Sequence, residues 1–382
     1  MEKDTQIIIC GDICPTPDTK NLFENSNVKG LFNGVFPVFD KADLLMANLE
    51  FPLIDSFTKI KKTGPVLTGK TNFINIFKNA GFNILGLANN HIKDAGEVGV
   101  RSTLKTCKEY EIATVGAGKN KAEAKKPLVI EKNGLKIGIM AFAEHEFNLA
   151  TDYEAGANSL DVYEDFDAIQ SLKKEVDYVI VLYHGGIEYY EYPSPILQKK
   201  CKKMIASGAD LVTCQHSHCI GTSENYLNGT IVYGQGNTVF GYRKNDSSWN
   251  TGLLIKILLK KVNNSITSKV EYLPIKALNE GIDVMSNEEG TTCLNEFNSK
   301  SLKLNDTEFL INAWNSFCKG KRSLYLPWLF GFNRLFIHLN RISGNKLVNL
   351  IYSKKKMRTS LNVMRCEALN EVLHTILEKH IK

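Results

Sequence analysis

The sequence predicts a layered α/β protein in which two β-sheets are enclosed by helices. Two observations carry the prediction. Through the first two-thirds of the chain short apolar runs alternate with helix-like segments, and two Asn-Gly pairs stand between apolar runs, where tight hairpins form. The runs Gln6–Cys10, Leu44–Ala47, Phe82–Ala88, Tyr178–Tyr183 and Asp210–Cys214 read as buried strands. Helices are predicted over Asn72–Ala80, Glu97–Tyr110, Phe166–Lys174 and Pro195–Ala206, two of them stopping at Gly81 and Gly208. Hairpins are placed at Asn133-Gly134 and Asn228-Gly229. After Thr251 the segments GLLIKILLKKV and SKVEYLPIKAL read as closing strands, and residues 280–318 as polar, helical or irregular chain. A soft boundary near Glu280 divides a domain of residues 1–280 from an extension of residues 281–382.

The chain has 382 residues, 43% hydrophobic and 23% charged, an ordinary globular balance with room for one large core and a small appendage. The opening apolar run is broken by Gly11 and Asp12, too early for a signal peptide or a membrane span. Nine cysteines are scattered, and neither Cys10 with Cys14 nor Cys214 with Cys219 makes a CxxC. Reduced thiols in a cytoplasmic protein are therefore expected. The net charge of +6 is uneven. Residues 319–382 carry thirteen Lys/Arg against three glutamates, a net +10, which leaves about −4 for the rest.

Metal-capable residues fall where strands end. Asp12 follows the first strand in C-G-D-I-C, and Glu50 the second in A-N-L-E-F-P. Asn90 and His91 follow the third in L-A-N-N-H, His184 another in V-L-Y-H-G-G, and His216 and His218 the last in T-C-Q-H-S-H. Loops converge outside the carboxyl ends of strands in α/β sheets, and ligands bind there. Singly, each residue has a bland reading: an aspartate after a strand is commonly a turn residue, and a histidine commonly packs. The H-x-H pair is stronger, since an extended segment turns both side chains to one side. Five strand ends together are hard to produce by accident. His145, His338, His374 and His380 lack this setting and receive no role.

In order, G-D, N-L-E-x-P, N-N-H with Asp94-x-Gly96 behind it, H-G-G-x-E-Y, and H-x-H followed by Y-G-Q-G-N resemble the CapA family. That family is named for capsular poly-γ-glutamate biosynthesis and looks like a branch of the calcineurin-like metallophosphoesterases. The resemblance spans roughly residues 5–245 and implies a four-layer αββα fold with a metal centre at the strand ends. It implies that Asp12 and His218 bind a first metal, that Asn90, His184 and His216 bind a second, and that Glu50 bridges them. His91 would be the acid that protonates the leaving group. The mixed donor set suits one or two divalent ions, Mn, Fe or Zn. Three positions depart from the phosphoesterase pattern: Cys14 stands for a histidine, Glu50 for an aspartate and Gln215 for a glycine. Cys14 is read as a buried thiol, with a thiolate ligand as the alternative.

Four weaker candidates complete the site. Glu188 is expected to orient a ligand histidine or to touch substrate, and Asn237 to shape a loop over the site. Lys62, beside Lys61, either attracts an anionic substrate or sits in a solvated loop. Cys14 is the fourth.

The run Leu324–Leu339 is short of a span and interrupted by Pro327, Asn333, Arg334 and His338. With Trp328 and the KKKMR cluster it suits an anionic membrane surface or a synthase contact, the bland reading being a helical subdomain packed on the core. No recognition motif accompanies the charge, so nucleic acid is not an expected partner. The function expected is metal-dependent hydrolysis, phosphoesterase-like, in the making of a capsule or surface polymer. An anionic polymer or a phosphate-containing molecule is the expected substrate, and the location is cytoplasmic, extending to the inner membrane face. The alternative is a non-catalytic assembly factor that binds metal and a polymer or synthase.

Overall fold

The computed structural model describes residues 4–57, 59–262 and 265–381, with the side chains of residues 262, 380 and 381 left out. The chain divides into two compact units, Met1–Leu310 and Ile311–Lys382.

The first unit carries the sheets. Its strands begin with β1 (Thr5–Ile13), β2 (Leu44–Leu49), β3 (Ile84–Gly86) and β4 (Ala113–Val115). A two-residue strand β5 (Ala117–Gly118) follows, then β6 (Leu128–Lys132), β7 (Leu135–Ala143) and β8 (Gly156–Ala157). β9 (Tyr178–His184), β10 (Leu211–Gln215), β11 (Ser223–Tyr226) and β12 (Gly229–Val232) come next. The last are β13 (Asn237–Val239), β14 (Thr251–Val262), β15 (Ser265–Ala277) and β16 (Ile282–Val284). One sheet has the order β16-β15-β14-β1-β2-β3-β4 with β13 added beside β1; the other has the order β11-β12-β10-β9-β7-β6. β5 and β8 pair with each other.

Side-chain alternation shows how the layers stack. On β9, Tyr178, Ile180 and Leu182 join the core shared with the first sheet, whereas Val179, Val181 and Tyr183 join a second core. Leu182 lies so close to Gly86 of β3 that a Cβ there would meet its Cδ1 at 3.2 Å, so the sheets face each other directly. The second core is closed by Ile169 and Leu172 of the helix Asp165–Lys173 and by Leu197, Cys201, Met204 and Ile205 of the helix Pro195–Ala206. The outer face of the first sheet is covered by helices that contribute Phe23, Phe32, Phe39, Phe73 and Phe77, which pack tilted or edge-on with one another and with Phe82. The result is the expected four-layer αββα arrangement.

Local chemistry explains most boundaries. The helix Pro195–Ala206 starts where Ser194 accepts from Leu197 N and Pro195 pre-sets φ, and it stops before Gly208 at φ 115°. Asn133 and Gly134 both take positive φ, 49° and 75°, and join β6 to β7 as the expected tight hairpin. At the other pair the turn slips by one residue. Tyr226 pairs with Gly229, so the loop is Leu227-Asn228, with Leu227 at φ 50°.

Residues 281–310 fold with the first unit, although the sequence reading placed its boundary near Glu280. The helix Asn287–Leu302 buries Phe297 against Tyr272, Leu253 and Ile220. Among the described residues the second unit has helices as its only regular elements, namely the end of Thr307–Leu329, then Arg334–Ile342, Lys346–Ile351, Lys354–Arg365 and Glu367–Ile381. Among the described residues no helix is long and apolar enough to cross a membrane.

Candidate metal centre

Parallel pairing puts the carboxyl ends of both sheets together. β1 runs parallel to β2, with Asp12 opposite Asn48, and β9 runs parallel to β10, with His184 opposite Gln215. β1 is irregular just before Asp12. Gly11 lets the Gly236 carbonyl approach, where a Cβ would lie 2.6 Å from that oxygen.

All six predicted donors meet in one cluster, with Asp12, Glu50, His184 and His218 buried and Asn90 and His216 half-buried. His184 Nδ1 lies 3.8 Å from Asp12 Oδ1, and its Nε2 lies 3.7 Å from Glu50 Oε1 and 3.1 Å from Asn90 Oδ1. His218 Nδ1 lies 4.0 Å from Asp12 Oδ2. The His216 ring is 4.9 Å from that of His184 and 6.0 Å from that of His218. One ligand atom each from Glu50, His184 and His216 lies within 4.8 Å of the others, a grouping able to hold a metal ion. Two atoms of this trio, Glu50 Oε1 and His216 Nδ1, are buried without a hydrogen-bond partner among the described residues. Native structures rarely leave such atoms unpaired, and a cation between them is the natural partner. The donor set therefore fits a divalent metal.

Electrostatics agrees. Burial pushes Asp12 above the usual carboxylate range, and burial together with the neighbouring Asp12 pushes Glu50 well above it. Burial and the adjacent imidazoles hold His184 well below the usual histidine value and His216 down to about 3. Neutral imidazoles are the ligand form, and a cation would repay the crowding of two carboxylates.

The H-x-H pair does not sit in an extended segment, contrary to the expectation from its spacing. β10 ends at Gln215, and His216 and His218 both take left-handed backbone, at φ 90° and 52°. That conformation costs about 1–3 kcal/mol per residue and persists only where surroundings enforce it. Here it aims the His216 N–H at Asp12 Oδ2, 3.0 Å away.

The weaker candidates separate. Asn237 is not in a loop over the site. It lies in β13 opposite Asp12, where its Oδ1 is 2.8 Å from His218 Nδ1, so it orients a donor. Lys62 is not solvated, with 3% of its side chain exposed. Its Nζ is paired with Asp94 and lies 3.3 Å from His91 Nδ1. Cys14 is buried and donates to the Pro15 carbonyl at 3.5 Å, while burial and the nearby Glu50, Asp12 and Asp94 push its thiol well up. That is the buried-thiol reading. Glu188 is exposed, near enough to raise Glu50 but without a contact to a donor histidine among the described hydrogen bonds. His91 is buried, with Nδ1 2.7 Å from Asp94 Oδ2 and its N–H donated to Asn89 Oδ1.

Sequence reading missed the amides that hold the cluster. Asn48 Nδ2 lies 2.8 Å from Asp12 Oδ1, 3.2 Å from His184 Nδ1 and 3.4 Å from Glu50 Oε2. Asn89 in turn donates to Asn48 Oδ1 and to the Leu49 carbonyl. The signal was present, an asparagine inside the otherwise apolar L-L-M-A-N-L. It also missed an aromatic wall: Trp249 and Phe240 pack on His218 at 4.6 and 4.8 Å, and Arg243 covers Trp249 and donates to Tyr189 Oη.

Fold and site together define an α/β protein with a buried carboxylate, amide and imidazole cluster, able to hold metal, where two facing sheets end. More particularly, the chain belongs to the family described as "Bacterial capsule synthesis protein PGA_cap", which matches residues 6–242. It is 28% identical over 284 residues to the "Capsule biosynthesis protein CapA" of Bacillus anthracis, covering 72% of this chain and 67% of that protein. It is 29% identical over 274 residues to the "PGA biosynthesis protein CapA" of Bacillus subtilis (strain 168), covering 69% and 70%. Among solved structures it is similar to a hypothetical protein from Thermus thermophilus, at 14% identity and a TM-score of 0.42, covering 70% of this chain and 99% of that one. It is also similar to a 5'-nucleotidase precursor from the same organism, at 12% identity and a TM-score of 0.40, covering 85% and 60%.

Proposed function

We propose that the chain is a divalent-metal-dependent hydrolase of the phosphoesterase type, acting in the synthesis of a capsule or surface polymer, whether poly-γ-glutamate or polysaccharide. Its substrate on this reading is an anionic polymer or a phosphate-containing precursor. Family membership supports the setting, and the observation that carries the chemistry is the pair of unpartnered buried atoms, Glu50 Oε1 and His216 Nδ1, inside one ligand cluster.

Asp12, Glu50, Asn90, His184, His216 and His218 would hold one or two ions of Mn, Fe or Zn. The chemistry such an ion supplies is polarisation of the scissile group and acidification of water. The chain's own residues do the rest. Asn48 fixes Asp12 and His184, and Asn237 fixes His218. Asp94, itself paired with Lys62, accepts from His91 Nδ1, so the doubly protonated ring can give its Nε2 proton to the leaving group. Trp249 and Phe240 pack on His218 and limit water on that side.

The test combines metal analysis of protein purified without chelator with turnover of phosphomonoesters, phosphodiesters and γ-glutamyl peptides in Mn²⁺. One or two bound equivalents are expected, and His91→Ala should keep them while losing roughly 10²–10⁴-fold in kcat. Metal-loaded protein that turns over no member of the panel would replace this reading with that of an assembly factor.

A further inference from the structure

The second unit is under a fifth of the chain, yet it holds sixteen of the twenty-six large hydrophobics that are exposed among the described residues. They are organised. The helix Arg334–Ile342 turns Ile337 and Asn340 inward, where Asn340 Oδ1 accepts from Val348 N and its Nδ2 donates to Asn345 Oδ1. Its outward side then carries Leu335, Leu339 and Ile342, spaced four and three residues apart and 66%, 46% and 71% exposed. Arg334 and Arg341 belong to the same helix. The helix Lys354–Arg365 buries no residue and has no acidic one. Leu361 and Met364 are exposed on one side of it, and Lys354, Arg358 and Arg365 fall along one flank of that stripe.

We propose that these two helices lie on the surface of an anionic lipid bilayer, with their outward apolar stripes inserted among the acyl chains and their cations at the headgroups. Charge selects this occupant. Residues 319–382 carry a net +10, so a second copy would bring the same sign, whereas an anionic leaflet attracts it. Lys354, Lys355 and Lys356 occupy the first turn of their helix, where the helix dipole disfavours cations, and neighbouring anions relieve that conflict. Nucleic acid would match the charge but leave Leu335, Leu339 and Ile342 in water. No described helix can span a bilayer, so the mode of binding is in the plane of the interface. The inference does not depend on the hydrolase reading.

The experiment uses the full chain with vesicles of phosphatidylcholine alone or mixed with phosphatidylglycerol, read by co-sedimentation. Binding to the mixed vesicles is expected, falling steeply with salt. Each surface cation contributes about fivefold in partitioning, so Lys354→Gln/Lys355→Gln/Lys356→Gln should lose roughly a hundredfold. Leu335→Ser/Leu339→Ser/Ile342→Ser should weaken binding to the same vesicles with unchanged circular dichroism. Equal binding to both vesicle types, or none to either, would overturn the proposal. So would a dimer in light scattering that the serine variant dissociates, which would make the stripe a contact between copies.

Discussion

The two units differ in which exceptions they concentrate: the first gathers most of the buried polar residues, the second most of the exposed apolar ones. Asp12, Glu50, Asn89 and Asp94 have no exposed surface, whereas Leu335, Ile342 and Leu350 are 66–84% exposed. Neither is a defect of packing. The first unit has large clusters of buried hydrophobics, whereas few hydrophobics of the second are buried among the described residues. A unit that buries so little gains little from its own folding, and its apolar surface is available to something else. Residues out of place are the informative ones in both units, pointing to an ion in one and a surface in the other.

The largest effect expected inside the folded protein tests the contrast in packing. Phe82→Ala removes a ring that packs on Phe32, Phe39 and Phe77, and should cost about 3–5 kcal/mol in urea melting. Leu335→Ser, on the outward stripe, should stay within about 0.5 kcal/mol. A serine variant as damaging as the alanine one would show that the second unit has a core of its own, and the contrast would fail.

A smaller effect concerns the buried amides. Asn48→Leu leaves Asp12 Oδ1 without the Asn48 donor and frees the Nδ1 side of His184, while keeping a similar volume. Partners behind metal ligands are typically worth 10–100-fold in metal affinity, and a weakening of that order is expected by calorimetry with Mn²⁺. Unchanged affinity would mean that the amide serves the fold alone.

These contrasts also show what could be read from the chain. The strands and the helix Pro195–Ala206 were legible because apolar period, Ser194, Pro195 and Gly208 act locally. The cluster was legible because strand ends converge in this architecture whatever the details. The loop reading of Asn237 and the solvated reading of Lys62 fail because their settings are made by distant chain. β13 lies beside β1 only after folding, and Lys62 is buried only because Asp94 and His91 receive it. The left-handed turn at His216 and His218 was hidden because nothing in Q-H-S-H requires it; it forms where the His216 N–H meets the Asp12 carboxylate of distant chain. The place of residues 281–310 was missed because three buried residues, Ile282, Phe297 and Leu304, outweigh a polar composition.

The smallest expected effect bears on that last segment. Glu289 closes a capping box with Ser286 at the start of the helix Asn287–Leu302 and pairs with Lys276 of β15 at 2.6 Å. The Lys276 ammonium and the Ser286 N–H draw its carboxyl down to about 2, against about 4.3 in unfolded chain. A depressed acid stabilises the fold above the unfolded value, and that stabilisation is lost as pH falls through the folded one. Glu289→Gln should therefore melt slightly below the parent near neutral pH, and the gap should narrow as pH drops from about 4.3 toward about 2. Glu289 is an exposed group screened by solvent, so the change should be the least of those expected here. A gap that does not narrow would place the attachment of this helix on Phe297 and its other contacts rather than on the Glu289 carboxylate.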